Sequence, residues 1–144
     1  IIMKRHEALA PLSREHHSAL ILAQLLKKDA PTYKGLPTAL NEKAAYALQM
    51  FTATLQLHFT NEEVMLDKIR NVHTGIDKLS DEIFREHQQL KKMFLSLNKT
   101  NNTIEELDTL GWALDDHIRK EERLLFPLIQ QHCSEAALNS FDFE

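Results

Sequence analysis

Thr103 to Ile129, TIEELDTLGWALDDHIRKEERLLFPLI, is the stretch on which the fold turns. Thr103 with Glu106 three residues later forms a capping box, a helix-start signal. Strong helix formers follow. Apolar residues recur at Leu107, Leu110, Leu114, Leu124 and Leu128, and His117 and Glu121 take the two places between. Steps of three and four mark one helix face turned to a core. Pro127 cannot donate to Arg123, so a kink or an end is expected there. Ser134 is a candidate cap for a short helix through Asn139.

The same rhythm repeats upstream. A helix over about 13–29 carries Leu12, His16, Ala19, Ala23 and Leu26. One over about 37–70 carries Leu40, Ala44, Ala47, Phe51, Leu55, His58, Glu62, Met65 and Ile69. One from Ile76 or Ser80 to Asn98 carries Ile76, Ile83, His87, Leu90, Phe94 and Leu97. Turn formers lie between them, at Pro31–Pro37, Asn71–Gly75 and Asn98–Thr103. Sustained alternation, the signature of strands, is missing. The expectation is an all-α chain. It is read as an up-down-up-down antiparallel four-helix bundle with a possible short C-terminal helix, one domain over 1–144.

Composition narrows the partners. With 43% apolar and 26% charged residues, the 144-residue chain has an ordinary globular make-up. A net charge of -4 argues against a nucleic-acid partner. No apolar run reaches membrane-span length, and Ile1 to Leu12 lacks the apolar core of a signal peptide. One cysteine, Cys133, rules out an internal disulfide and a cysteine-type metal cluster. The cytoplasm is the expected compartment. Eight histidines are many for this length.

Six of the stripe positions are not apolar: His16, His58, Glu62, His87, His117 and Glu121. Four of them form two His-x-x-x-Glu pairs, His58 with Glu62 and His117 with Glu121, whose members stack on one helix face. Their heights agree. His58 lies 13 residues before Asn71 and His87 lies 12 after Gly75, nearly level at ~1.5 Å per residue. A lone histidine on an apolar face is ordinarily a hydrogen-bonded core residue. Two buried carboxylates in the same layer would be very costly without a cation. A histidine–glutamate polar network is the competing reading, and it must be satisfied at every member. Imidazole with carboxylate suits iron, manganese or zinc. Six side chains exceed the need of one tetrahedral ion and suit two ions bridged by the carboxylates.

On LSREHHSAL (12–20), HFTNE (58–62), EHQQL (86–90) and HIRKEERLLFP (117–127), the chain resembles the hemerythrin-like, or HHE cation-binding, domain over 12–129. The resemblance implies a four-helix bundle around a non-haem centre of two iron ions, bridged by Glu62 and Glu121. Manganese and zinc are possible substitutes. The oxygen-carrying members have a second histidine on the third helix, four residues from the first; Ile83 and Lys91 flank His87 here. They also carry an aspartate five residues after the last histidine, where this chain has Glu121 at four and Glu122 at five. The likeness is therefore to the bacterial and regulatory branch, linked to iron handling, to oxygen or redox sensing, and to nitric-oxide or peroxide stress.

Other groups have weaker claims. His17 sits one step off the stripe. Glu63, Glu86 and Glu122 are read as solvated groups or as partners of the outer imidazole nitrogens. His6, His73 and His132 are expected in solvent, Cys133 as an inert thiol and Trp112 at the bundle edge. The function expected is a metal-binding protein that binds or senses oxygen or nitric oxide, or takes part in iron or redox stress handling. The alternative is a small di-iron oxidoreductase acting on peroxide or nitric oxide, or an iron donor for iron–sulfur repair. Apolar neighbours of the site, Leu20, Leu55, Met65, Ile83, Leu90, Leu114 and Leu124, favour a small ligand.

Overall fold

The computed structural model describes residues 4–98 and 101–143, and every regular element among them is helical. Helix α1 spans Ala10–Leu26. Helix α2 (Leu40–Met50), a π-helical turn (Phe51–Leu55) and α3 (Gln56–Lys68) run on without a break as one rod. Helix α4 spans Thr74–Leu95. A last rod joins α5 (Ile104–Lys120), a second π-helical turn (Glu121–Leu125) and α6 (Phe126–His132). Short α7 (Glu135–Asn139) follows.

The starts have local causes. Thr103 Oγ1 accepts from the Glu106 amide at 3.1 Å, and Ser134 Oγ accepts from Ala137 at 3.1 Å. Each meets one of the donors a helix start leaves unpaired. Pro11 fits the first turn of α1, where no amide donor is needed. His73 is not simply in solvent. Its Nδ1 accepts from the Gly75 amide at 3.0 Å and starts α4, and its half-buried ring stacks on that of exposed His132 at 3.9 Å. Asn71 takes a φ of 72°, a conformation asparagine tolerates better than most residues. Lys99 and Thr100 of the third expected turn lie outside the described residues.

Helix α1 runs opposite to the last rod, α3 opposite to α4, and α4 opposite to α5. Lys27 pairs with Asp115 at 2.9 Å near one end of α1, and Ser13 bonds Glu122 at 2.8 Å near the other. Along α3 and α4, Glu62 meets His87 while Arg70 meets Asp81. Along α4 and α5, Glu86 meets His117 while Glu82 meets Lys120. Gly111 lets α1 and α5 approach, since a Cβ there would lie 2.7 Å from the Ala23 carbonyl oxygen. Trp112 stands half exposed, with the Lys27 ammonium 3.7 Å above its ring.

The core falls into two apolar clusters. One holds Ala19, Leu55, Leu90 and Leu114, and the other Leu12, Met65, Ile83 and Leu125. On each rod the polar stripe positions fall between the two, so they form one layer.

The last rod departs from the expected face. Leu124 is 54% exposed, whereas Leu125 and Ile129 are fully buried and Leu128 only half so. The π-turn is the cause. The Phe126 amide bonds the Glu121 carbonyl, five residues back rather than four. The extra residue rotates everything beyond it by about a quarter turn. The same turn carries the rod past Pro127, which neither ends it nor breaks it.

Candidate metal centre

All six polar stripe residues are buried, the four histidines at 2% exposure and both glutamates at 0%. Each imidazole turns Nε2 inward. The Nε2 atoms of His58 and His87 lie 3.1 and 3.0 Å from the two oxygens of Glu62. His117 Nε2 lies 2.9 Å from Glu121 Oε1. His16 Nε2 lies 3.3 Å from Glu62 and 3.4 Å from Glu121.

Each imidazole also donates outward from Nδ1 to a second carboxylate. His16 bonds Glu122 at 2.6 Å, His58 bonds Glu15 at 2.9 Å, His87 bonds Glu63 at 2.8 Å and His117 bonds Glu86 at 2.8 Å. A carboxylate only accepts, so Nδ1 carries the proton. In the neutral ring the Nε2 lone pair then points into the layer, the arrangement that prepares histidine for a metal. Phe59 stacks on His87 at 4.1 Å and Phe126 on His16 at 5.5 Å, which limits ring rotation.

Glu63, Glu86 and Glu122 thus hold outer nitrogens. Glu15 does the same for His58 and is the functional group that sequence reading missed. It adjoins His16 in the chain but serves a histidine on another helix. His17 is exposed and takes no part. Half-buried His6 bonds Glu135 at 3.0 Å rather than standing free in solvent. Burial pushes the half-buried Cys133 thiol up, as an inert thiol requires.

Burial pulls the imidazoles towards neutrality, but the carboxylates outweigh it. His58, facing Glu62 and Glu15, is held at about 9. His117, facing Glu121 and Glu86, is held at about 10. His16 and His87 are raised for the same reason. Burial would raise Glu62, yet His58 and His16 hold it well below the usual carboxylate range. Two carboxylates in one buried layer demand compensating positive charge.

The donor atoms sort into two groupings. His16, His58, Glu62 and Glu121 form one, and Glu62, His87, His117 and Glu121 the other, with all donor atoms in each within 4.8 Å of one another. Both carboxylates belong to both. His58 Nε2, His117 Nε2 and both Glu121 oxygens are buried without an aligned hydrogen-bond partner. Such atoms are expensive in a native core, and a cation in each grouping would satisfy all four. The residues present therefore fit a metal site.

The hemerythrin HHE cation-binding domain model matches residues 6–129. The chain belongs to the hemerythrin HHE family. A comparison with curated proteins found no match, and neither did one with solved structures. HHE domains bind metal cations, and in this member the candidate donors are the buried histidine–glutamate layer. No helix among the described residues is long and apolar enough to cross a membrane.

Proposed function

We propose that the chain is a single up-down-up-down four-helix-bundle domain, working in the cytoplasm, that holds two iron ions and binds or senses a small diatomic ligand. His16 and His58 serve one ion, His87 and His117 the other, and Glu62 and Glu121 bridge them. The observation that carries this reading is the sharing of both carboxylates by two four-donor groupings. Two imidazoles and two bridging oxygens make four donors per ion, fewer than octahedral iron accepts. When bound, such ions supply Lewis-acid and redox chemistry at their open positions.

The chain's own residues select and shield. The outer glutamates fix the imidazole tautomers. Apolar residues above and below the layer exclude bulk water. A cavity of about 130 Å³ reaches His58 between Ala19, Leu22, Met50 and Leu55. That volume is ample for oxygen, nitric oxide or peroxide. The test is anaerobic iron loading with elemental analysis, then titration with each of the three ligands followed by absorption. Close to two irons per chain and a saturable spectral change with one diatomic ligand are expected. A folded protein holding only traces of metal overturns the reading.

One observation favours the enzymatic alternative. Glu15 lines the same cavity and stays half exposed while bonded to His58, so a proton carrier stands at the entrance. Sustained turnover of peroxide or nitric oxide that Glu15→Gln slows more than tenfold would replace the binding role with a catalytic one.

A further inference from the structure

We infer that Arg5 is a positioning residue of the metal layer: from the segment before α1 it fixes Glu122, and through Glu122 the His16 imidazole, so that one of the two metal positions depends on the N-terminal segment and the other does not. The inference rests on the two-metal reading above.

The contacts converge. Arg5 Nη2 donates to the Glu122 carbonyl at 3.0 Å and to Glu122 Oε1 at 3.2 Å. Nη1 donates to Gln130 Oε1 at 3.1 Å. The guanidinium also lies 5.4 Å from the centre of the Phe126 ring. Glu122 spends its other oxygen on Ser13 at 2.8 Å and on His16 Nδ1 at 2.6 Å, and Phe126 stacks on His16. Arg5 therefore touches both groups that orient this imidazole.

The π-turn explains why an outside donor is placed here. In its five-residue spacing the Glu122 carbonyl would pair with residue 127, which is proline and has no N–H. A planar guanidinium serves that carbonyl and the side chain of the same residue together, which a point-like ammonium does less well. The segment is anchored on the same rod, with the His6 amide on Gln130 Oε1 at 3.0 Å and Gln130 Nε2 on the Lys4 carbonyl at 2.9 Å. The other position is clamped from within the bundle. Glu86, which holds His117, is itself held by Lys120 of α5.

The experiment uses the full chain loaded anaerobically with ferrous iron and follows extraction by a coloured chelator. Arg5→Ala should release one of its two irons about 10–100-fold faster, the scale of losing an outer partner of a metal-bound histidine, and the second iron at the unaltered rate. Arg5→Lys should restore part of the difference. The double variant Arg5→Ala with Glu122→Gln should be no faster than Glu122→Gln alone, because the two act in series. Uniform acceleration of both irons, unchanged release, or additive effects overturn the inference. Should Arg5→Ala fail to fold, Arg5→Lys against Glu122→Gln decides it by the same criterion. A natural chain that never takes up a second iron overturns the two-metal reading, and this inference with it. Two irons in the natural chain with unaltered release from Arg5→Ala overturn this inference alone.

Discussion

Glu62 and Glu121 bring carboxylate oxygens within 4.8 Å of each other, and neither residue has any solvent exposure. Like charges so placed are not tolerated without cations between or beside them. Four imidazole nitrogens face the pair in the metal-free chain. The outer glutamates hold those rings by their far side, leaving the near side for an ion.

Removing a shared carboxylate should therefore do more than removing an outer one. Glu62→Ala and Glu121→Ala should each lose both ions, since each oxygen pair serves two positions. Glu15→Gln, Glu63→Gln and Glu86→Gln should still take up two ions, with affinity lower by about 10–100-fold. Metal content after dialysis, together with competition against a chelator, separates the two classes. Equal losses in both would remove the distinction between bridging and outer groups.

Proton release gives a second test. In the metal-free chain His58 at about 9 and His117 at about 10 are charged at neutral pH. A metal needs Nε2 unprotonated. Loading at pH 7 should thus expel at least these two protons per chain, which calorimetry in buffers of differing ionisation enthalpy will count. The sign for stability follows. An imidazole raised in the folded state contributes its full stabilisation below its unfolded value of about 6.5 and loses it as pH rises through the folded value. Glu62, lowered on folding, acts in the opposite sense, and its stabilisation is lost as pH falls through its depressed folded value. The metal-free Tm should decline from pH 6.5 to pH 10, and metal should flatten that decline. A metal-free Tm that rises over this range refutes the assignment.

Much of the layer was legible because both of its determinants are periodic. His16, His58, Glu62, His87, His117 and Glu121 fall in step with apolar neighbours, so a helical reading alone brings them to one side of their rods. Equal distances from the turns then bring them to one height. The π-turn was not legible in this way. Its extra residue reflects a choice of backbone partner, Phe126 to Glu121 instead of Glu122, and the composition of EERLL does not announce that choice. Pro127 signalled a missing hydrogen bond, but not that Arg5, more than a hundred residues away, supplies the donor. Glu15 escaped for a related reason. Its partner His58 lies on a different rod, and pairing across rods depends on their relative rotation rather than on spacing along one chain.

The shifted face can be tested by substitution. Leu125 has no exposure and packs with Met65 and Phe126, whereas Leu124 points largely into solvent. Leu125→Ala should cost about 2–5 kcal/mol, the range for a buried leucine truncated to alanine. Leu124→Ala should stay within about 0.5 kcal/mol of the parent. Denaturant melts of the two variants read the difference, and the reverse order would mean an uninterrupted α-helix through Glu121.

The missing imidazole on the third rod can be put back in one place only. Oxygen carriers of the resembling family place two histidines four residues apart on that helix, and Ile83 and Lys91 are the two candidates around His87. Lys91 is exposed, while Ile83 is fully buried on the face that carries His87. Residues four apart share a helix face, so Ile83→His puts a new ring one turn from His87 and towards the layer. It should bring a fifth donor to the His87–His117 position and slow iron extraction from that position several-fold. Lys91→His should leave extraction unaltered, because its ring projects into water. Ile83→His also trades an apolar side chain for a polar one, so the metal-free variant should melt below the parent and recover on loading. If Lys91→His rather than Ile83→His tightens the iron, the rotation of α4 about its axis differs from that described here, and Glu63 could not then reach His87 Nδ1.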